Sequence, residues 1–374
     1  MLLLHPPNME VFAIMTLPIR IRDLGVEPGF LPTGRLNAIT DVPGVKVGHV
    51  TIRDGDICTG ATSILHCESQ DLWLKARFGS SYVLNGYGQV VGRDWLQESG
   101  LMNGPLLLTS YFGVSALLQG LNSICPDTAA HGYTHHLVAE TWDGWLSDPM
   151  SGAIQPIHAA EVIANATSGP VTEGCVGGGT GMSTYDLKAG IGTSSRKVGV
   201  AGEQYTLGVL VQSNFGNRRN LMVDGMHLGR QIPHDIVPMP ERTQVLPNED
   251  GSIIIVVATD APLLPQQCEA LSRRATLGLA RTGAMANNGS GDFAISFSTG
   301  NMLDVLSQTP HHDLKAVPAR EMNSLFHATV EATEEAILNA LCAAETTTGF
   351  MRRTVHALPH DLIRKAVSAQ KNRS

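Results

Sequence analysis

The bond between Gly251 and Ser252 stands directly after the polar turn Asn248-Glu249-Asp250 and before the run Ile253-Ile254-Ile255-Val256-Val257-Ala258-Thr259-Asp260. The run is apolar enough to be a buried strand, and the turn carries the residue types that punctuate a chain. Breakage of the Gly251–Ser252 bond would make Ser252 a new N-terminus, with a hydroxyl and an α-amine on one residue. That pairing places a nucleophile beside a base. Asp-Gly-Ser is also an ordinary turn before a strand, so the tripeptide does not decide by itself and its surroundings have to.

Three further clusters carry residue types capable of chemistry. In Arg281-Thr282-Gly283-Ala284-Met285-Ala286-Asn287-Asn288-Gly289-Ser290-Gly291-Asp292, glycine and asparagine make a tight loop whose backbone N–H groups can meet a substrate oxygen. Ser290 and Asp292 stand two apart, so on an extended segment they share a face. There a hydroxyl and a carboxylate can orient the proton of a third group. A Gly-rich hairpin capped by Asn and Ser uses the same residues. Ala139-Glu140-Thr141-Trp142-Asp143-Gly144-Trp145-Leu146 brings two acids and two tryptophans together. Such a set can hold an ammonium group through charge and aromatic face, or it can be a strand end with an Asp-Gly turn. Gly174-Cys175-Val176-Gly177-Gly178-Gly179-Thr180-Gly181 matches neither a P-loop nor a dinucleotide fingerprint. It reads as a place where backbone crowds a small ligand, or as a plain turn. Asn214, at the end of Gln212-Ser213-Asn214-Phe215-Gly216, can offer a side-chain amide to an oxyanion or simply make a turn. His131, His135 and His136 lack both a helical pattern and an H-E-x-x-H motif, so no metal and no cofactor are expected.

These groups need a scaffold. A chain of 374 residues with 43% hydrophobic and 16% charged residues can bury a large core. Its 39 glycines allow many close backbone approaches. The net charge of −8 argues against nucleic acid or an anionic membrane as partner. No stretch reaches the roughly 18–20 apolar residues of a membrane span. The six cysteines have no paired spacing, which suits reduced thiols in the cytoplasm. Residues 1–17 lack a signal-peptide pattern and are expected to be a loose extension before a single domain from 18 to 374.

Strands are expected at Val45 to Ile52, Gly60 to His66, Val90 to Gly92, Tyr205 to Gln212, Ser252 to Thr259 and Asp292 to Ser298. Helices are expected at Leu106 to Leu121, Ile154 to Thr167, Leu264 to Leu279 and Arg320 to Ala344. Asn217 to Asp250 is polar and proline-rich and reads as a long exposed excursion. Strands and helices do not alternate strictly, which favours a layered α+β sandwich over a doubly wound sheet.

Taken together, the clusters resemble the self-processing aminopeptidases that include L-aminopeptidase/D-esterase and the β-peptidyl aminopeptidases. The matching pieces include Ile21-Arg22-Asp23-Leu24-Gly25, Asn37-Ala38-Ile39-Thr40-Asp41-Val42-Pro43-Gly44-Val45-Lys46-Val47-Gly48-His49, Gly177-Gly178-Gly179-Thr180-Gly181 and Gln212-Ser213-Asn214-Phe215-Gly216. Beyond the Gly251-Ser252 pair they continue through Ala258-Thr259-Asp260-Ala261-Pro262-Leu263, Leu277-Gly278-Leu279-Ala280-Arg281-Thr282-Gly283 and Asn288-Gly289-Ser290-Gly291-Asp292 to Glu335-Ala336-Ile337-Leu338-Asn339-Ala340. The resemblance implies a four-layer αββα sandwich similar to the N-terminal-nucleophile hydrolases, with different connectivity. It implies self-cleavage into an α part, 18–251, and a β part, 252–374, and a homotetramer of such αβ units. Ser252 would then form an acyl-enzyme with peptides, amides or esters bearing a free amino end. By position, Ser290 and Asp292 match the serine and acid that orient the nucleophile, with Asp292 standing where the family often carries glutamate. Asn214 matches the oxyanion side chain, and Glu140 fits the substrate ammonium. Trp142 or Trp145 stands where a tyrosine is expected.

Two other readings stay in view. An acyltransferase of the ornithine acetyltransferase type shares the architecture but carries threonine at the cut, which Ser252 argues against. A non-catalytic small-molecule binding protein on the same scaffold would leave the chain uncut.

Overall fold

The computed structural model describes residues 18–126, 135–240 and 251–371. The expected extension at 1–17, His131 and the turn Asn248-Glu249-Asp250 therefore lie outside the described residues.

Two sheets stack face to face. One has the order β1-β2-β6-β7-β4, built from β1 (Lys46–Asp54), β2 (Ile57–Leu65), β4 (Val90–Val91), β6 (Leu106–Ser110) and β7 (Leu137–Thr141). The other runs β10-β11-β12-β13-β3-β5, from β3 (Lys75–Gly86), β5 (Leu101–Met102), β10 (Ile191–Val200), β11 (Glu203–Asn214), β12 (Gly251–Thr259) and β13 (Ser290–Asp304). Short hairpins β8–β9 (Ser183–Thr184, Leu187–Lys188) and β14–β15 (Thr347–Thr348, Thr354–Val355) lie outside them. A small helix α1 (Arg93–Ser99) follows β4. Helices α2 (Val114–Ile124) and α3 (Ile157–Ala164) cover the first sheet. Helices α4 (Pro265–Arg281) and α5 (Met322–Cys342) cover the second, and α6 (His360–Lys371) packs at its edge.

The run after Ser252 shows why the layers form. Ile253, Ile255 and Val257 enter the core beneath α4 and α5. Ile254, Val256 and Ala258 enter the core between the two sheets, with Leu106, Leu108 and Ile295. Successive side chains of a strand point to opposite faces, so a strand buried on both sides must be apolar throughout. A third core lies between the first sheet and α2–α3, around Leu107, Leu117 and Val162. The result is the expected four-layer αββα sandwich.

Three expectations are corrected. Leu106 to Leu121 is not one helix: β6 ends at Ser110 and α2 begins at Val114. Leu106 and Leu108 face one core and Leu107 another, and a strand buried on both sides has the same continuous apolar run as a buried helix. The described part of Asn217 to Asp250 is not an exposed excursion, since Leu221, Val223, Leu228, Ile232 and Val237 join the α4–α5 core. The fully buried Arg218 guanidinium binds this segment by donating to the carbonyls of Asp186 at 2.8 Å, Pro238 at 3.2 Å and Val237. Ile154 to Thr167 contains a shorter helix, from Ile157 to Ala164.

Strand β10 escaped detection because polar contacts hold it. Ser194 Oγ donates to the Ala332 carbonyl at 2.6 Å, and Arg196 reaches Glu331 at 3.1 Å and Glu335 at 2.7 Å on α5. A Cβ at Gly192 would lie 2.0 Å from the Ala336 carbonyl oxygen, so glycine there lets the helix touch the sheet.

Candidate active site

Strand β12 begins at Gly251 and lies between β11 and β13. Its antiparallel pairing with β11 sets Asn214 directly opposite Ser252. Its parallel pairing with β13 sets Ser290 beside Gly251 and Gly291 beside Ser252. Directly opposed residues share a face. Ser252, Asn214 and Gly291 therefore point into the space between the sheets, the side taken by Ile254. Ser290 and Asp292 point the other way, with Ala294, toward α4.

Ser252 is buried, and its Oγ makes no hydrogen bond. A hydroxyl withdrawn from water without a partner costs about 1–3 kcal/mol, so it calls for a reason other than stability. What Gly251 needs is closeness. A Cβ there would lie 2.8 Å from Phe215 Cα and 3.0 Å from the Asn214 carbonyl oxygen. Gly251→Ala must displace that backbone, and urea unfolding is expected to show a loss of about 1–3 kcal/mol.

Asn214 is fixed at both ends of its amide. Its Oδ1 accepts from the Ser183 N–H at 2.9 Å and its Nδ2 donates to the Trp142 carbonyl at 2.8 Å. A flipped amide would lose both bonds, and the second N–H of Nδ2 stays free to donate. The glycine run supports this arrangement without forming a ligand cradle. Its N–H groups are taken by Thr51 Oγ1 at 2.9 Å for Gly177, Thr62 Oγ1 at 3.1 Å for Gly178 and the Val176 carbonyl at 2.9 Å for Gly179.

On the α4 side, Ser290 Oγ donates to Asp292 Oδ1 at 2.7 Å. The aspartate is long enough to close that contact, and its other oxygen, Oδ2, has no partner. Burial pushes the Asp292 carboxyl up to about 6, with the Ser290 hydrogen bond pulling it partly back. A small pocket bounded by Phe215, Gly216, Met285, Ala286, Ser290 and Asp292 opens there. No hydrogen bond joins Ser252 Oγ to Ser290 or Asp292, which sit on the opposite face of the same strand pair.

Glu140, at the end of β7, is buried, and its Oε1 accepts from the Gln89 N–H at 2.8 Å. Burial pushes its carboxyl up to about 7, against the pull of that hydrogen bond. The two tryptophans part company. The Trp142 backbone reaches Asn214, while its ring lies over Gly144, where a Cβ would come within 2.6 Å of it. Trp145 packs with Cys58, Leu146 and Val355, and the Arg353 guanidinium sits 4.2 Å above its ring. His135 stacks on Trp95, and His136 Nε2 contacts Asn122 Oδ1 at 3.2 Å.

Asp143 is the second acid of the Ala139–Leu146 cluster, and one feature, the strap at residues 85–89, was not found in the sequence. Asp143 is buried with its Oδ2 accepting from Thr59 Oγ1 at 2.6 Å, and burial pushes its carboxyl up to about 7. Residues 85–89 form a strap touching both halves of the site. Its only signal in the sequence was the turn-like string Asn85-Gly86-Tyr87-Gly88.

A four-layer αββα sandwich with a glycine–serine bond at the head of its central strand defines a serine hydrolase of the N-terminal-nucleophile architecture. The sequence model of Peptidase family S58 matches residues 37–355, and the chain belongs to that family. It is 39% identical over 363 residues to the β-peptidyl aminopeptidase BapA of Sphingosinicella microcystinivorans, covering 92% of this chain and 91% of that one. Among solved structures it is similar to a β-aminopeptidase from Burkholderia sp., with 38% identity, a TM-score of 0.85 and coverage of 94% and 99%. The L-aminopeptidase D-Ala-esterase/amidase of Ochrobactrum anthropi, described as a prototype for the serine aminopeptidases with a new variant of the Ntn hydrolase fold, is 35% identical. Its TM-score is 0.85, with coverage of 95% and 99%. The protein is a serine aminopeptidase.

Proposed function

We propose that the chain cuts itself between Gly251 and Ser252 and then releases N-terminal residues from small peptides, amides or esters through an acyl-enzyme on Ser252. The observation that carries this reading is the buried, unpartnered Ser252 hydroxyl at the start of a central strand, across from an amide fixed in orientation. In the first step, Ser252 Oγ adds to the Gly251 carbonyl, the C–N bond breaks and the proton passes to the departing nitrogen. Water then hydrolyses the ester, leaving a Gly251 carboxylate and a free Ser252 amine. In turnover, the freed amine takes the hydroxyl proton as Ser252 Oγ adds to the scissile carbonyl and passes it to the departing amine or alcohol. Water then hydrolyses the acyl-enzyme, the free N–H of Asn214 stabilises the oxyanion and Glu140 receives the substrate ammonium. The Ser290–Asp292 pair faces the other side of the strand ends and holds the proton balance of the new amine. Trp142 lines the rim beside Glu140. The identity to a β-peptidyl aminopeptidase supports β-residues among the acyl groups removed. Ser252, in place of threonine, argues against the acyltransferase reading.

The test is intact mass under denaturing conditions. Wild type should give two fragments, ending at Gly251 and beginning at Ser252, while Ser252→Ala stays whole. A stable full-length wild type would overturn the proposal.

A homotetramer of αβ units and a cytoplasmic location complete the reading. The family resemblance supports the first. Five buried cysteines that remain free thiols support the second.

The pH dependence follows from the two raised carboxyls. Asp292 and Glu140 act as carboxylates, so their charged forms are gained as pH rises through about 6 and about 7. The substrate amine loses its proton near pH ~8. The profile of kcat/KM is therefore expected to climb from pH ~6 toward ~8, the last part as the Ser252 amine itself loses its proton and becomes a base, and to fall above ~8. Glu140→Gln should flatten the climb near 7 and raise KM.

A further inference from the structure

We infer that residues 85–89, the end of β3 and the turn beyond it, form a ruler that sets the span between amine and scissile carbonyl in accepted substrates. This rests on the roles given above to Glu140 and Ser252. One end of the strap is tied to the Ser290 loop. The Asn85 side-chain amide donates to the carbonyls of Asn287 at 2.8 Å, Asn288 at 3.3 Å and Ser290, and the Tyr87 N–H donates to the Ser290 carbonyl at 3.2 Å. The other end is tied to the ammonium-binding carboxylate by the Gln89 N–H on Glu140 Oε1 at 2.8 Å. A one-residue register shift in the β3–β13 ladder, where Asn85 pairs with Asp292 but Val83 with Phe293, turns the chain end out of the sheet toward Glu140.

Between these ties the strap crosses Gly291, the cross-strand neighbour of Ser252 on Ser252's own face. The contact is close. A Cβ at Gly291 would lie 2.5 Å from the Tyr87 carbonyl oxygen and 3.2 Å from Gly88 Cα. A Cβ at Gly88 would lie 3.1 Å from both Glu140 Oε1 and Phe293 Cε2, and 3.5 Å from Gly291 Cα. The Cβ side of Gly88 thus faces the ammonium receptor and the neighbour of the nucleophile together. A substrate with its amine at Glu140 and its carbonyl at Ser252 runs its connecting carbons over this glycine floor. The strap couples the two ends of that path, so it selects by chain length rather than by side chain.

Gly88 has no positive φ, so alanine fits its backbone and adds one methyl to the path. The experiment compares wild type, Gly88→Ala and Asn85→Ala on the p-nitroanilides of glycine, β-alanine and 4-aminobutyrate. These place one, two and three carbons between amine and carbonyl. Gly88→Ala is expected to lower the β-alanyl to glycyl ratio of kcat/KM by about fivefold or more, because a misplacement of about 1 Å from the productive geometry can cost on the order of 10²-fold. Asn85→Ala frees the strap from the Ser290 loop and is expected to draw the three rates toward one another. A structural role alone would reduce all three substrates together. Ratios within about twofold of wild type in both variants would overturn the inference. A wild type that turns over none of the three would overturn the substrate reading and the ruler with it.

Discussion

Replacing Ser252 with alanine is expected to abolish turnover, by a factor on the order of 10⁴–10⁶ in kcat, while leaving the protein at least as stable as before. The two halves of this result have separate causes. The nucleophilic oxygen is gone, and the Oγ of no other residue stands opposite Asn214 on the inner face of β12, so no acyl-enzyme forms. Stability does not fall because Ser252 Oγ makes no hydrogen bond in its buried position. Removing an unsatisfied hydroxyl removes a desolvation cost without breaking a contact. A serine kept for structure would behave in the opposite way, with activity partly retained and the urea midpoint lowered. Steady-state hydrolysis of β-alanyl p-nitroanilide, together with urea unfolding of the uncut variant, separates the two.

Asn214→Ala is expected to cost about 10²–10³ in kcat with little change in KM, the range observed when one oxyanion donor is removed. Asn214 differs from a merely nearby amide because the Ser183 N–H and the Trp142 carbonyl define which end is oxygen and which is nitrogen. Asn214→Asp is the sharper variant. It keeps the Ser183 bond, faces the Trp142 carbonyl with oxygen and brings negative charge toward a developing oxyanion. Its kcat is expected to fall at least as far as that of the alanine variant. A loss carried by KM in both variants would remove Asn214 from oxyanion stabilisation. Both variants should also slow the appearance of fragments if the same tetrahedral geometry serves the proposed self-cut.

Much of this architecture was legible because apolar periodicity reports burial directly. Strands β1 and β2 and helices α4 and α5 stood near their expected places. Leu106 to Leu108 misled because a strand between two cores and a buried helix have the same composition. β10 was invisible because Gly192, Ser194 and Arg196 meet α5 through close approach and polar bonds, which leave no hydrophobic trace. Within the site, spacing correctly put Ser290 and Asp292 on one face. Which face it was, relative to Ser252, depends on the parallel register of β12 with β13, a non-local fact. The same holds for the strap at 85–89, whose meaning comes from Glu140 and Gly291 being brought to it from distant segments.

The strand order of the larger sheet bears on how the protein would survive the proposed cut. Strands β12 and β13 follow Ser252 in the chain, yet they lie between β11 and β3, which precede it. Once Gly251 and Ser252 part, each fragment completes the other's ladder on both sides, with α4 and α5 of the second fragment sealing strands of the first. A chain that first folds as one molecule would then persist as two that cannot regain this interleaving separately. Its refolding would change order, from a first-order process before the proposed cut to a second-order one after it. An enzyme cut in this way would therefore depend on slow unfolding more than on reversible equilibrium.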